Sequence, residues 1–375
     1  MIKYASLWYV WVATNSSEAI GLLVAGEMMP ALFFSLLGGV IADGRDRFRL
    51  VRYYQGAIAT STLLIGVVIA LYADVYLVIF IYAVIGVITS LLLPCSFTIT
   101  TSVIDREHLS KAVSANALNH NLSAISAPAL AYFLIKTAGY PITFLLASLM
   151  MSIYVWNMFY VTKRADLVEP RLNLTLRTTF AEIYALVRRS RDTRYLLIVL
   201  FGFALFIRPM IEQFPKLLEI SSGSANLGDI GALSVVIGAA SLIASIILSS
   251  GKRDMSFVGL IYLVGISSVL PIGIVFFNRT WLFVLVIFSV TVTSSLARTT
   301  ILYLLQRDST EELRGRILSV YFAVITGGAG VGSLIAGFLS DKQYIFYLIG
   351  SIVGGWFVYA QRVAYPRKAA ETMRP

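Results

Sequence analysis

The chain has 375 residues, 58% of them hydrophobic and only 13% charged, with a mean hydropathy of +0.81; no soluble domain of this length carries so much apolar surface. The formal charge is +10, yet the cations sit in short stretches between apolar runs rather than along one solvated face, which argues against a nucleic-acid partner and for the Lys/Arg excess of cytoplasmic membrane-protein loops. At roughly 20 apolar residues per crossing, the length allows about a dozen spans and leaves no room for a sizeable soluble domain.

In chain order, the first apolar stretch, Tyr4 to Ala13, is only half a span, and Lys3 interrupts it. Either the true start lies upstream or the first helix is shortened; no small-residue cleavage site follows, which speaks against a signal peptide. Apolar runs then fall at about 18–42, 50–72, 75–103, 110–136 and 140–162. After a polar, basic break they resume at about 194–218, 226–250, 255–277, 280–305, 315–340 and 343–363. The expected organisation is an all-α membrane protein: an N-terminal bundle over 1–162 with an incomplete first helix, a linker over 163–193, a C-terminal bundle over 194–363 and a tail over 364–375.

Between the first two long runs lies a charged elbow, residues 39–49, Gly-Val-Ile-Ala-Asp-Gly-Arg-Asp-Arg-Phe-Arg. With the elbow inside, alternation leaves only Lys136, Lys216, Arg279 and Lys342 outside, while Lys3, Arg208 and Arg298 fall within apolar runs, out of 30 Lys and Arg. That bias places the linker and the C terminus in the cytoplasm of a multi-pass plasma-membrane protein. Asp43 ends a helix, where the dipole disfavours an anion, so it needs a cation or another helix's N-terminus; Arg47 and Asp105 are natural members of the same cluster. A loop held only by its positive charge is the simpler reading, although topology does not require the acid.

Ionisable groups inside the runs are the functional candidates, because a carboxylate at mid-membrane costs about 2.5–3.5 kcal/mol on insertion scales. Glu27 is expected to face the bundle interior, paired or protonated, and is the first candidate for proton coupling; a hydrogen bond to a neighbouring helix is the structural alternative. Asn116, Asn119, His120 and Asn121 form a polar patch in which His120 could titrate near neutral pH, although interhelical hydrogen bonding is the preferred reading. In the second half Glu212 follows Arg208 at i+4 and can neutralise it. Arg298, followed by Thr299 and Thr300, either receives a carboxylate-bearing substrate or snorkels toward the inner interface near Arg307; snorkelling is preferred.

Cys95 is the only cysteine, and His108 and His120 are the only histidines, so neither an internal disulfide nor a metal set is expected. No nucleophile, base and orienter converge, which argues against an enzyme. The glycines between 327 and 337 lie in a long apolar run with no Lys-Ser/Thr pair and no preceding strand, so they read as helix-packing residues rather than a nucleotide loop. With no ATP motif and no cofactor expected, active transport would draw on an ion gradient. The segment Asp105-Arg-Glu-His-Leu109 parallels Thr310-Glu-Glu-Leu313, about 205 residues later. Duplicated halves joined by a linker are the mark of a rocking transporter with its site between them.

On these residues the chain resembles the major facilitator superfamily, and within it the macrolide-efflux-like and enterobactin-exporter-like permeases, over nearly its whole length. Gly39, Asp43, Arg47 and Arg49 match that family's loop signature, with Asp46 where many members have glycine; Gly44 and Phe48 depart from it. The stretch from Asp105 to Asn116, with Pro94 before it, resembles the branch's cytoplasmic connection, as Glu312-Leu-Arg314-Gly315-Arg316 does in the second half. Ala127, Pro128 and Ala131 resemble a weakened antiporter motif. The superfamily's fourth-span arginine is absent, with Tyr82 near its place. The resemblance implies two pseudo-symmetric six-helix bundles and a cytoplasmic gate built from Gly39, Asp43, Arg47, Arg49 and Asp105. A cavity drawing on Arg208, Glu212, Arg298, Asn116 and Asn119 would lie between the halves. It further implies a monomer in membrane lipid that exports a small amphipathic or hydrophobic molecule in exchange for protons or another coupling ion, by alternating access. The alternatives are a proton-coupled importer and a non-transporting scramblase or sensor on a degenerate permease.

Overall fold

The computed structural model describes residues 1–43, 46–103, 109–162, 191–223, 225–249, 257–272, 280–307 and 311–364. Among them every regular element is helical: α1 (Ile2–Thr14), α2 (Ser17–Met28), α3 (Ala31–Asp43), α4 (Arg47–Leu71), α5 (Val75–Val103), α6 (Leu109–Thr162), α7 (Arg191–Phe206), α8 (Arg208–Glu212), α9 (Phe214–Ser222), α10 (Leu227–Ser249), α11 (Phe257–Val269), α12 (Thr280–Arg307), α13 (Glu311–Leu339), a 3-10 turn (Ser340–Lys342) and α14 (Gln343–Ala364). The expected linker, except at 191–193, and the C-terminal tail beyond Ala364 lie outside the described residues.

Local chemistry sets the helix ends. The Ser16 hydroxyl accepts from the Ala19 amide at 3.2 Å to start α2. Pro30 separates α2 from α3 within a single apolar run, because it lacks an amide donor and crowds the preceding turn. Asp46 caps α4 by accepting from the Phe48 and Arg49 amides at 2.9 and 3.1 Å, so the acid that replaces glycine in the elbow has a structural task. Asp74 and Asn226 start α5 and α10 in the same way. The run at 194–218, expected as one helix, is three: Pro209 opens α8 and Pro215 opens α9, each at a position where its missing donor costs least.

Eight stretches of the described residues are long and apolar enough to cross a membrane. Two of them, Leu122–Tyr160 with 39 residues and Ile317–Trp356 with 40, are about twice what a roughly 30 Å hydrocarbon core needs. Each is interrupted: α6 breaks at Gly139, whose φ is 81°, and the second at the 3-10 turn between α13 and α14. Each therefore supplies two crossings. Large apolar side chains on the outside of the bundle, such as Phe80, Trp156, Ile198 and Trp356, are exposed where lipid would lie.

The two halves meet along two seams. In one, α13 lies against α2 and α3; in the other, α10 lies against α6. Counted by crossing, the second of the first half meets the fifth of the second, and the fifth of the first meets the second of the second. Duplicated halves related by a twofold axis must pair in this way. Small residues bring the backbones close: a Cβ on Gly21 would stand 2.8 Å from the Ser333 carbonyl oxygen and 3.0 Å from the Gly337 Cα. On the other seam Gly238 sits directly on the Ala124 backbone. Between apolar helices in lipid, where burial itself gives no driving force, this close contact is what holds the halves together.

Candidate functional site

One face of α1 is tied to the second half of the chain. Lys3, Trp11 and Asn15 are spaced by multiples of four and so share that face. The Lys3 ammonium donates to Glu212 Oε1 at 2.9 Å, the Trp11 indole to the Ala225 carbonyl at 3.2 Å, and the Asn15 amide to Glu219 Oε1 at 3.0 Å. The residue that breaks the first apolar run is thus the innermost of three tethers between the halves.

Around Lys3 the structure assembles a cluster from four crossings. Glu212, its side chain 4% exposed, takes Lys3 Nζ on Oε2 at 2.8 Å and Arg208 Nε on Oε1 at 2.9 Å, so one carboxylate binds two cations from different halves. Glu27, on α2, lies 3.8 Å from Lys3 Nζ, and its Oε2 is buried with no hydrogen-bond partner among the described residues. The Tyr82 phenol on α5 faces the same carboxylate. Pro209 helps to place the cluster: the break before α8 turns Arg208 and Glu212 toward α1. Beside the cluster lies a cavity of about 410 Å³, bordered by Lys3, Glu27, Gln55, Tyr82, Thr89 and Met151.

Arg298 on α12 belongs to the same interior. Its Nη2 donates to Ser295 Oγ at 3.3 Å, and its carbonyl accepts from the Tyr321 hydroxyl at 3.3 Å. The ionisable groups that act on it are Arg208, Tyr321 and Glu212; among the described residues no carboxylate lies within ion-pair distance of it. Its surroundings are interior, not the helix end near Arg307.

At the end of the bundle away from the elbow, the halves are bolted together. Gln213 is fully buried, accepts from Ser17 Oγ at 3.1 Å and donates to the Ser17 and Ser333 carbonyls at 3.2 Å each. It sits beside the Gly21–Gly337 crossing, so α2, α9 and α13 are joined at one point. Within the second half, Lys216 pairs with Glu219 at 3.0 Å and with Asp341 at 2.9 Å.

The elbow end is only partly described. Gly39 faces Ser319, whose Oγ would lie 3.4 Å from a Cβ at position 39, and Arg49 is exposed. Asp105, and the side chains of Asp43, Arg47, Asn116 and His120, lie outside the described residues. Asn119 is exposed, at a distance in sequence from every member of the cluster. On α6, Pro128 and Ala131 are buried in the seam-forming helix and Ala127 is half-buried. Sequence reasoning singled out Glu27, Arg208, Glu212 and Arg298 but passed over Lys3, Gln213 and Tyr321. The four-residue spacing of Lys3, Trp11 and Asn15 was the signal that could have found the first.

With this geometry in place, similarity to known proteins becomes informative. The model of the family described as "transmembrane secretion effector" matches residues 1–363. The staphyloferrin A transporter of Staphylococcus aureus is 24% identical over 342 residues, covering 89% of this chain and 84% of that protein. Among solved structures, the nucleoside transporter NupG matches with a TM-score of 0.62 at 12% identity, over 96% of this chain and 95% of that one. An auto-inhibited peptide transporter of the POT family matches with a TM-score of 0.71 at 11% identity, over 98% and 95%. At such identities the structural likeness establishes the fold alone.

Proposed function

The chain belongs to the transmembrane secretion effector family of major facilitator transporters, and from that premise we propose that it exports a small amphipathic or hydrophobic compound in exchange for protons by alternating access. That it is a multi-pass membrane transporter and not an enzyme follows from the family; direction, coupling ion and cargo are the proposal. The observation that carries it is the cluster of Lys3, Glu27, Arg208 and Glu212, which joins the two halves inside the bundle. Ionisable groups at that depth are expensive and are kept where protons or substrates pass. Glu27 is the coupling carboxylate in this reading: its Oε2 has no hydrogen-bond partner among the described residues and is held only by the longer ion pair to Lys3, which protonation would release. Because Lys3 also holds Glu212, a proton on Glu27 alters an ion pair that spans the halves, which is how a local charge change biases a rocking motion.

The family's secretion label supports export, and the name of the Staphylococcus aureus relative makes staphyloferrin A the first compound to assay. Positive-inside bias supports a cytoplasmic linker and C terminus, and the elbow, with Gly39, Asp43, Arg47, Arg49 and Asp105, then forms the cytoplasmic gate. The test is a susceptibility screen in an efflux-deficient host expressing the full-length protein. Wild type should raise tolerance to at least one amphipathic compound, and both Glu27→Gln and Asp43→Asn should abolish the gain. Unchanged tolerance in Asp43→Asn would refute the gate, and in Glu27→Gln the coupling role.

A further inference from the structure

We propose that Arg298 is the docking point for a carboxylate on the transported compound, so that the cargo is an organic anion; this rests on the transporter reading above. Among the described residues, three interior cations, Lys3, Arg208 and Arg298, face two carboxylates, Glu27 and Glu212. Glu212 already binds Lys3 and Arg208, and Glu27 lies on the Lys3 side. Arg298 has a hydroxyl, Ser295 Oγ, as its hydrogen-bond acceptor, and that contact is long at 3.3 Å.

A guanidinium has five N–H donors in a rigid fork shaped for a planar oxyanion. Held in an interior with one neutral acceptor among the described residues, most of that capacity is unused there, and buried charges are stable only when paired. Arg208 acts on Arg298 from the same interior, and two like charges in a region of low dielectric repel strongly. An oxyanion received by the Arg298 fork removes both penalties. Tyr321 fixes the Arg298 backbone by donating its hydroxyl to the carbonyl at 3.3 Å. The ligand that fits is therefore an organic carboxylate. Glu212 cannot supply this anion, because leaving Lys3 and Arg208 would strand two cations in place of one.

Purified full-length protein in lipid nanodiscs provides the test, with the thermal unfolding midpoint as readout. The probes are citrate and benzoate, with triethyl citrate and benzamide as uncharged counterparts at matched ionic strength. At least one carboxylate should protect saturably while its neutral counterpart does not. In Arg298→Gln the apparent affinity for that carboxylate should fall tenfold or more, and in Arg298→Lys, which keeps the charge but loses the fork, by an intermediate factor. Should Arg298→Gln not insert stably, the loss in Arg298→Lys at an unchanged ligand-free midpoint carries the test. Protection by the neutral probes equal to that by the carboxylates, no protection by either carboxylate, or carboxylate protection unchanged in both variants would each overturn the assignment. Such a failure is distinct from failure of the transporter reading: wild-type vesicles that move an uncharged compound on a proton gradient would keep the latter standing.

Discussion

At the scale of single residues, Glu212 is the pivot, because it is the carboxylate in contact with a cation from each half. Removing one partner of a buried ion pair leaves a stranded charge and costs about 3–5 kcal/mol. The side chains of Lys3 and Arg208 are each 28% exposed, so the lower end of that range applies. Glu212→Gln should therefore lower the unfolding midpoint strongly, whereas Lys3→Met combined with Glu212→Gln should recover part of the loss, with a coupling of about 0.5–3 kcal/mol. Additive effects in that cycle, measured by thermal unfolding in nanodiscs, would mean that the pair does not join the halves energetically. The sequence exposes the members of this cluster unequally. Glu27, Arg208, Glu212 and Arg298 stand out because charge inside an apolar run is rare. Lys3 does not, because it lies at the edge of a short run and its partner is 209 positions away. Convergence of this kind depends on how two bundles dock, which no local pattern encodes.

Among the elements, the decisive one is α13, which runs against α2, α3 and α7 at once. Its glycines let it do so: a Cβ at Gly337 would stand 2.8 Å from the Ser17 carbonyl oxygen and 2.9 Å from the Gly21 Cα, where the obstacles are backbone atoms that cannot turn aside. Gly337→Val should therefore wedge α2 and α13 apart at the end that Gln213 bolts, at a cost of about 1–3 kcal/mol for overpacking. Gly56, with nothing near its missing Cβ, is the matched control, and Gly56→Val should leave the midpoint within a degree or two. Equal effects at the two sites would show that helix propensity, not close packing, governs both. Apolar runs made the crossings legible, and glycine spacing marked α13 as a packing helix. The breaks were legible unequally: Gly139 falls in the gap expected between the runs 110–136 and 140–162, whereas Pro209 and Pro215 divide one expected helix into three. A proline or glycine announces a break without saying how far the chain turns, and it is that turn which aims Arg208 and Glu212 at α1.

For the whole molecule, the account requires the two ends of the bundle to open in alternation about the cluster. The elbow end can be tied shut through Gly39 and Ser319, since a Cβ at 39 would lie 3.4 Å from Ser319 Oγ, within the reach of a disulfide. With Cys95, the only native cysteine, replaced by serine, Gly39→Cys with Ser319→Cys should lose transport on oxidation and regain it on reduction. Transport through the oxidised protein would rule out alternating access at this seam. The duplicated pattern of crossings and the charged elbow foretold a two-bundle permease. They could not foretell that the buried acids would be shared with a lysine of the first helix, because that follows only from the second-with-fifth pairing of the halves. The most direct test of the central claim is proton movement in proteoliposomes of full-length protein carrying a pH-sensitive dye, with staphyloferrin A or a compound identified by the susceptibility screen as solute. Wild type should move protons against the solute. Glu27→Gln should still exchange solute across the membrane in the absence of a gradient but move no protons with it. Solute-dependent proton flux that persists in Glu27→Gln would contradict the account.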